Sequence, residues 1–458
     1  MNLVVQKYGG TSLCDANKIR HAAQRIAAED RYVVAVVSAM GSTTDTMLNL
    51  AHDITDSPHA RELDVLLSTG ERASAAALAL ALHELGVPAR SFSGRDGGIL
   101  TDGVHGSASI VSVDAVRIRE CVHSGIVPVV TGFQGVATDT GELTTLSRGG
   151  SDTTAVALAA ALGAEVCEIF TDVEGVFTAD PRHVAEARKV DHLSYGDMAE
   201  LAAHGAAVLA HPSVEYARNH RVALHVRPSA THAAGTWVTG SHPIPPDGER
   251  FTAVGIAHQT GRLCGQLDGV DPVALTAITA ALADPVLSAE IVDDATAGSA
   301  SAARPLRFIA PAANRHEAER VLADLHAAGA FTRRHWSGPM GKVSLVGRGL
   351  PAHHNEVRNL VVDTLKTHRT SVQDMTVHSR RISITCAEHD VFNVATQLHR
   401  TFLPPAPAQT TGPAQETAQP RRSPDGATWN ENAAAPRPAL DAELPRLRDR
   451  LATQRDSR

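Results

Sequence analysis

The segment Thr145-Leu-Ser-Arg-Gly-Gly-Ser-Asp-Thr-Thr154 runs straight into the apolar stretch Ala155–Leu162. It has a counterpart near the N-terminus, Lys7-Tyr-Gly-Gly-Thr-Ser12, which follows the short apolar run Leu3–Val5. Each places two glycines and hydroxyl side chains where a strand ends and a helix is expected to begin. Glycine lets backbone N–H groups approach an anion closely, and the N-terminus of the following helix adds partial positive charge. Lys7 and Arg148 put a full charge beside each turn. Two such turns point to phosphoryl transfer. No GxxxxGK[ST] sequence occurs, which excludes the Walker type of nucleotide site.

Around these turns, residues 1 to about 230 alternate β-rich runs with helical stretches, the rhythm of a mostly parallel sheet covered on both faces. Strands are expected at Leu3–Val5, Val33–Val37, Val127–Val130, Val166–Phe170 and Ala223–Val226. Helices are expected at Ala16–Glu29, Glu71–Leu85, Asp114–Ser124, Asp152–Leu162, Tyr195–Ala203 and Ser213–Asn219. Gly86 and Gly163 stand at C-terminal caps, and Ser151 or Asp152 can cap the helix that follows. From Phe251 to Phe402 the pattern changes to two weakly similar βαββαβ-like modules, with helices near Val273–Leu282, Arg315–Ala327, Asn355–Leu365 and Val391–Arg400. Residues 403–458 are rich in Pro, Gln, Thr and Ala and are expected to be a disordered tail.

Composition narrows the function. The chain has 458 residues, 43% hydrophobic, with a formal net charge of -8, so a nucleic-acid or anionic-membrane footprint is not expected. No uninterrupted apolar run approaches the roughly 18 residues of a membrane span, and no signal peptide is evident. The five cysteines are scattered and lack CxxC spacing, which fits a reduced cytoplasm. The 24 histidines show no HExxH pattern and no zinc-like spacing, so no protein metal site is expected, and His353-His354 reads as a turn.

Five motifs carry a family resemblance. Lys7-Tyr-Gly-Gly-Thr-Ser12, Ser68-Thr-Gly-Glu-Arg-Ala-Ser74, Gly132-Phe-Gln-Gly135, Ser147-Arg-Gly-Gly-Ser-Asp152 and Thr171-Asp-Val-Glu-Gly-Val-Phe-Thr-Ala-Asp-Pro-Arg182 stand in order and spacing similar to those of aspartokinases, in particular the actinobacterial type. The resemblance is close over residues 1–240 and loose over 251–402. It implies an α/β amino-acid-kinase catalytic domain, a three-layer α/β/α sandwich on a mostly parallel sheet, followed by tandem ACT-like regulatory modules. It implies transfer of the γ-phosphoryl group of ATP, carrying its own Mg²⁺, to the side-chain carboxylate of L-aspartate. A homodimer or higher oligomer through the ACT modules is implied as well.

The resemblance also assigns roles. Lys7 and Asp152 are expected at the catalytic centre. Thr44, Glu71, Arg148, Gly149 and Ser151 are expected to hold the amino acid, Glu71 by its ammonium and Arg148 by its α-carboxylate. Lys7, Tyr8, Gly9, Gly10, Ser12, Thr171, Asp172, Phe177 and Arg182 are expected to contact the nucleotide. Taken singly, several of these have plainer readings. Asp152 reads as a helix cap, Glu71 as a favourable charge in a first helical turn, Thr44 as a turn residue and Arg148 as a surface charge.

Departures from the family pattern bear on affinity and regulation. Ala207, in Gly205-Ala-Ala-Val-Leu209, stands where the family has a lysine that contacts ATP. The turn Leu267-Asp-Gly-Val-Asp-Pro-Val-Ala274 has Val273 in place of glycine, and Leu350-Pro-Ala-His-His-Asn-Glu-Val357 has His354-Asn355 in place of Pro-Gly. A β-branched residue tolerates positive φ poorly, so a ligand-cradling turn needing glycine there is compromised. The following strand, Ser288–Ala295, also lacks the family's Asn-rich pattern. Weak or absent inhibition by lysine plus threonine is therefore expected. Two alternatives stay open: a kinase for another small acid, and a non-catalytic partner of a true aspartokinase.

Overall fold

The computed structural model describes residues 2–240, 251–283, 287–293 and 305–404. The expected disordered tail lies outside the described residues from 405 onward. Leu403, assigned to that tail by the sequence, is buried and belongs to the folded part.

The first half is built on an eight-stranded sheet. Its spatial order is His192–Ser194, Thr236–Thr239, Leu224–Pro228, Val166–Thr171, Leu3–Tyr8, Tyr32–Val37, Val127–Thr131, Ala89–Phe92. Every neighbouring pair is parallel except Leu224–Pro228 with Thr236–Thr239. The central strands are mostly apolar on both faces because helices cover both, with Gln6 and Glu168 as buried polar exceptions that hydrogen-bond each other. Alternation sorts their side chains between two cores. Leu3, Val5, Val34 and Val36 join Ile118, Leu158, Met198 and Val214 on one face. Val4, Val33, Ala35 and Val37 join Ile19, Ala22, Leu78 and Leu82 on the other. The result is the expected three-layer α/β/α sandwich.

Three local readings change. The helix expected at Glu71–Leu85 begins eleven residues earlier and spans Ala60–Glu84, so Glu71 is mid-helix rather than in a first turn. Thr44 lies in a helix, Thr43–Ile54, rather than in a simple turn. The helix Gly150–Leu162 is capped by Gly149 with no side-chain hydrogen bond, which leaves Asp152 in its first turn and free for other work. A separate four-stranded sheet of Ile110–Val113, Ile99–Thr101, Gln134–Ala137 and Leu143–Thr145 had no sequence signal, since strands of three or four residues show no period. The Ala60–Glu84 helix is long and apolar enough, by length and composition, to cross a membrane, with mean hydropathy 1.3, whereas no uninterrupted apolar run was that long. Here it packs in the core with Asp64 and Glu71 buried among its residues.

The second half forms one six-stranded antiparallel sheet, in the order Glu290–Asp293, Leu306–Pro311, Thr252–Asp268, Arg333–Arg348, Arg381–Ala387, Val372–Val377. Two long central strands, of 17 and 16 residues, are shared by both expected modules. One end covers a core under Leu275–Leu282 and Arg315–Ala327, and the other a core under Leu350–Thr367 and Val391–Phe402. His353 and His354 are in the Leu350–Thr367 helix, so the turn expected there does not exist. Val273 is not among the residues with positive φ; in its turn that conformation falls to Gly269, at φ +61. The backbone-strain argument against Val273 therefore fails.

Candidate active site

Strand alternation sends Lys7 and Tyr8 to opposite faces. Tyr8 is fully buried, stacked on Phe170 with ring centroids 5.0 Å apart, and its hydroxyl donates to Gln6 Oε1. Lys7 reaches the start of the Gly150–Leu162 helix, where Nζ stands 2.6 Å from Asp152 Oδ1. The contact is an ion pair whose angles fall outside hydrogen-bond geometry. Asp152 Oδ2 accepts a bond from the Ala210 N–H at 3.3 Å. Both side chains are nearly buried, 13% and 9% exposed, so a charge placed beside them is poorly screened by water.

This pair sits on a cavity of about 490 Å³ that Gly10, Thr44, Glu71, Arg148, Gly149 and Ser151 also line. Residues separated by as much as 145 positions of chain thus meet as the sequence reading requires. Gly149 has φ +83, and a Cβ there would stand 2.2 Å from that of Ala210, so only glycine fits. Gly70 plays a packing part: a Cβ on it would meet Ala39 Cβ at 2.7 Å. That close approach brings the next residue, Glu71, under the strand end, where Oε1 accepts the Ala39 N–H at 3.0 Å. Glu71 Oε2 is buried with no partner, and burial pushes the carboxyl up to about 7. A ligand ammonium would supply the missing charge. Arg148 is exposed and has no carboxylate partner among the described residues, which leaves its guanidinium open to an anion.

A second cavity of about 420 Å³ is lined by Thr171, Asp172, Phe177 and Arg182, with Gly205, Ala207 and His258. It lies past the end of Val166–Thr171, the parallel strand beside Leu3–Tyr8, where open α/β sheets bind ligands. The Gly205–Ala210 segment joins the two sites: its first residues line the second cavity, and Ala210 touches Asp152 and Gly149. The Arg182 guanidinium grips the Asp180 carboxylate, Nε donating to both oxygens at 3.0 and 3.2 Å and Nη2 to Oδ2 at 2.7 Å, while the Arg182 backbone N–H donates to Oδ1 at 2.9 Å.

Two expected contacts, Tyr8 and Ser12, are not brought together with these cavities, and a third, Gly9, stands beside the Lys7 ammonium with its amide engaged. Tyr8 is core. The Gly9 N–H is committed to the Phe170 carbonyl at 3.2 Å and is not free for phosphate. Ser12 is buried beside Tyr8 and Lys18 in a pocket of about 50 Å³. Alternation along the strand explains the first of these. Two features were missed. Asp64, wholly buried, accepts the Gly106 N–H at 3.0 Å, contacts His105 Nδ1 at 2.6 Å and bonds the Thr145 hydroxyl. It thereby fixes two residues of the cavity wall, Gly106 and Thr145. A lone acid in the apolar run Leu63–Leu67 was the available signal. Phe133, also on the wall, holds φ +68, a conformation costly for a bulky side chain.

The family model of the amino acid kinase family matches residues 2–228, which places the catalytic half in that class. Aspartokinases from Mycobacterium tuberculosis and Corynebacterium glutamicum are 40% and 41% identical over 408 and 406 residues, covering 88% of this chain and 96% of each relative. The chain belongs to the aspartokinase family. The crystal structure of E. coli aspartokinase III in complex with aspartate and ADP shares its fold, with a TM-score of 0.73 at 22% identity over 87% of this chain and 99% of that one.

Proposed function

We propose that the protein is an aspartate kinase, transferring the γ-phosphoryl group of ATP to the side-chain carboxylate of L-aspartate and forming 4-phospho-L-aspartate. The observation that carries this reading is the Lys7–Asp152 pair on the same cavity as Glu71 and Arg148. An α-amino acid presents a cation and an anion, and the cavity offers one opposite charge for each. The acceptor carboxylate is ionised at neutral pH, with a free value near ~3.9, so no strong general base is needed. The task is to bring two anions together and to stabilise charge on the transferring group. Lys7 supplies that charge, and Asp152 holds its ammonium in place. Arg148 takes the α-carboxylate, Glu71 the ammonium, and Thr44 and Ser151 complete the wall. Thr171, Asp172, Phe177 and Arg182 form the nucleotide side. The hard oxygen donors of the nucleotide's phosphates would carry Mg²⁺, which would supply charge neutralisation when bound.

Weakened lysine-plus-threonine feedback belongs to the same proposal, on different grounds from the sequence argument. In the Leu267–Ala274 turn the Val273 N–H already donates to Asp271 Oδ1 at 3.0 Å, and the Ala274 N–H to the Asp271 carbonyl. Few amides remain there for an effector carboxylate. Self-association is proposed through the edge strand Val372–Val377 of the second sheet.

The test is turnover of ATP–Mg²⁺ and L-aspartate with hydroxylamine trapping of the acyl phosphate. Aspartyl hydroxamate is the expected product. Hydroxamate from a different acid alone, or no turnover beside binding to a second kinase, would sink the assignment.

A further inference from the structure

Asp180, His183 and His258 take no part in the proposed reaction, yet their side chains converge. One ligand atom from each lies within 4.8 Å of the other two. Asp180 and His183 share a turn, closed by the His183 N–H on the Asp180 carbonyl at 3.1 Å. His258 arrives from the long strand Thr252–Asp268. Phe392 sets both ring planes: it stacks on His183 with centroids 3.6 Å apart and meets His258 edge-on at 5.2 Å. Neither imidazole has a hydrogen-bond partner among the described residues. With His183 open to solvent and His258 half-buried, two oriented imidazoles and one carboxylate form a set of donors that a cation could reach from outside.

We propose that Asp180, His183 and His258 form a site for a transition-metal cation of the Zn²⁺ class, tying the Asp180–His183 turn to the first long strand of the six-stranded sheet. Two imidazoles and one carboxylate suit Zn²⁺, Co²⁺ or Ni²⁺ better than Mg²⁺ or Ca²⁺, which prefer all-oxygen shells. Three protein ligands leave one position for water or an anion. Asp180 and His258 also line the second cavity, so an occupied site places added positive charge on its wall. Arg182 competes for the same carboxylate, and its side chain is 80% exposed, so it can leave at little packing cost. Sequence spacing could not reveal the set, because His258 is remote in the chain from the Asp180–His183 turn.

The experiment uses the full chain stripped with a chelator, and reads metal binding rather than turnover, so its outcome is separate from that of the kinase assignment. Zn²⁺ binding is measured by equilibrium dialysis and by competition with a chromophoric chelator, and Co²⁺ reports coordination through its visible absorption. We expect one strong site per chain, weakened at least roughly tenfold in His183→Ala and in His258→Ala. Zn²⁺ should raise the melting temperature of the wild type but not of His183→Gln, a variant that keeps a polar side chain at the turn. Arg182→Ala should bind more tightly, since it frees Asp180. A His353→Ala/His354→Ala double variant controls for surface histidines and should bind as wild type does. Absence of a strong site in the wild type, or equal affinity in the wild type and both alanine variants, overturns the proposal. Weaker or unchanged binding in Arg182→Ala overturns Asp180 as the carboxylate ligand.

Discussion

Replacing Glu71 by Gln should make the ligand-free protein less sensitive to rising pH while removing its grip on the substrate ammonium. Glu71 is 2% exposed, with one oxygen bonded to the Ala39 N–H and the other unpartnered. Burial raises its carboxyl from 4.5 to about 7, which corresponds to about 3 kcal/mol against the ionised form. The native carboxyl therefore holds its proton to higher pH than the unfolded one. Its contribution to stability is full below the unfolded value and is lost as pH rises through the folded value. Between about pH 5 and pH 8 that loss integrates to about 2–3 kcal/mol in the wild type and vanishes in Glu71→Gln. The assay is urea unfolding of both proteins at the two pH values. Relative to wild type, the variant should gain about 2–3 kcal/mol on going to the higher pH. L-Aspartate should restore the wild type at that pH and leave the variant unchanged, because only a carboxylate can pair with the ammonium. In kinetics, the wild-type KM for aspartate should climb as pH falls below about 7, where Glu71 takes up its proton. Parallel stability profiles, or a wild-type KM for aspartate in Glu71→Gln, would refute this reasoning.

Other substitutions probe the remaining parts. Asp152→Asn leaves Lys7 without its nearly buried partner, and kcat should fall roughly 100-fold or more, with a smaller change in KM; near-normal turnover would remove Asp152 from the mechanism. Gly149→Ala should cost about 1–3 kcal/mol, since it combines positive φ with a Cβ contact of 2.2 Å. Gly163→Ala, at φ +66 with open space around it, should cost less, and denaturant midpoints will rank the two. Ala207→Lys should lower KM for ATP by roughly 10- to 100-fold, the range of one charge-assisted bond, because position 207 is exposed on the second cavity. An unchanged KM would mean that a cation at 207 does not reach the phosphates.

What the sequence determined by itself was the part written in short range. The runs Val4–Val5 and Val33–Val37 are apolar on both faces, as a central parallel strand requires, and Val166–Phe170 is apolar but for Glu168. Gly163 ended its helix in the left-handed conformation, and the Arg315–Ala327 helix kept its expected bounds, because caps and periodicity are local properties. The glycine turns marked Lys7, Arg148 and Asp152 as candidates for one site, and the structure supplies the direct Lys7–Asp152 contact. Tertiary structure decided the rest. Alternation along one strand turned Lys7 toward the cavity and Tyr8 into the core, and Gly149 rather than Asp152 capped the helix, leaving a carboxylate for Lys7. The Ala60–Glu84 helix buried Glu71 at the wall of the cavity, and that burial pushes its carboxyl up to about 7. The Asp64 anchor and the Asp180–His183–His258 cluster depend on side chains converging from separate elements. Periodicity records which face of its own element a residue occupies; what stands opposite that face is fixed only when the layers pack.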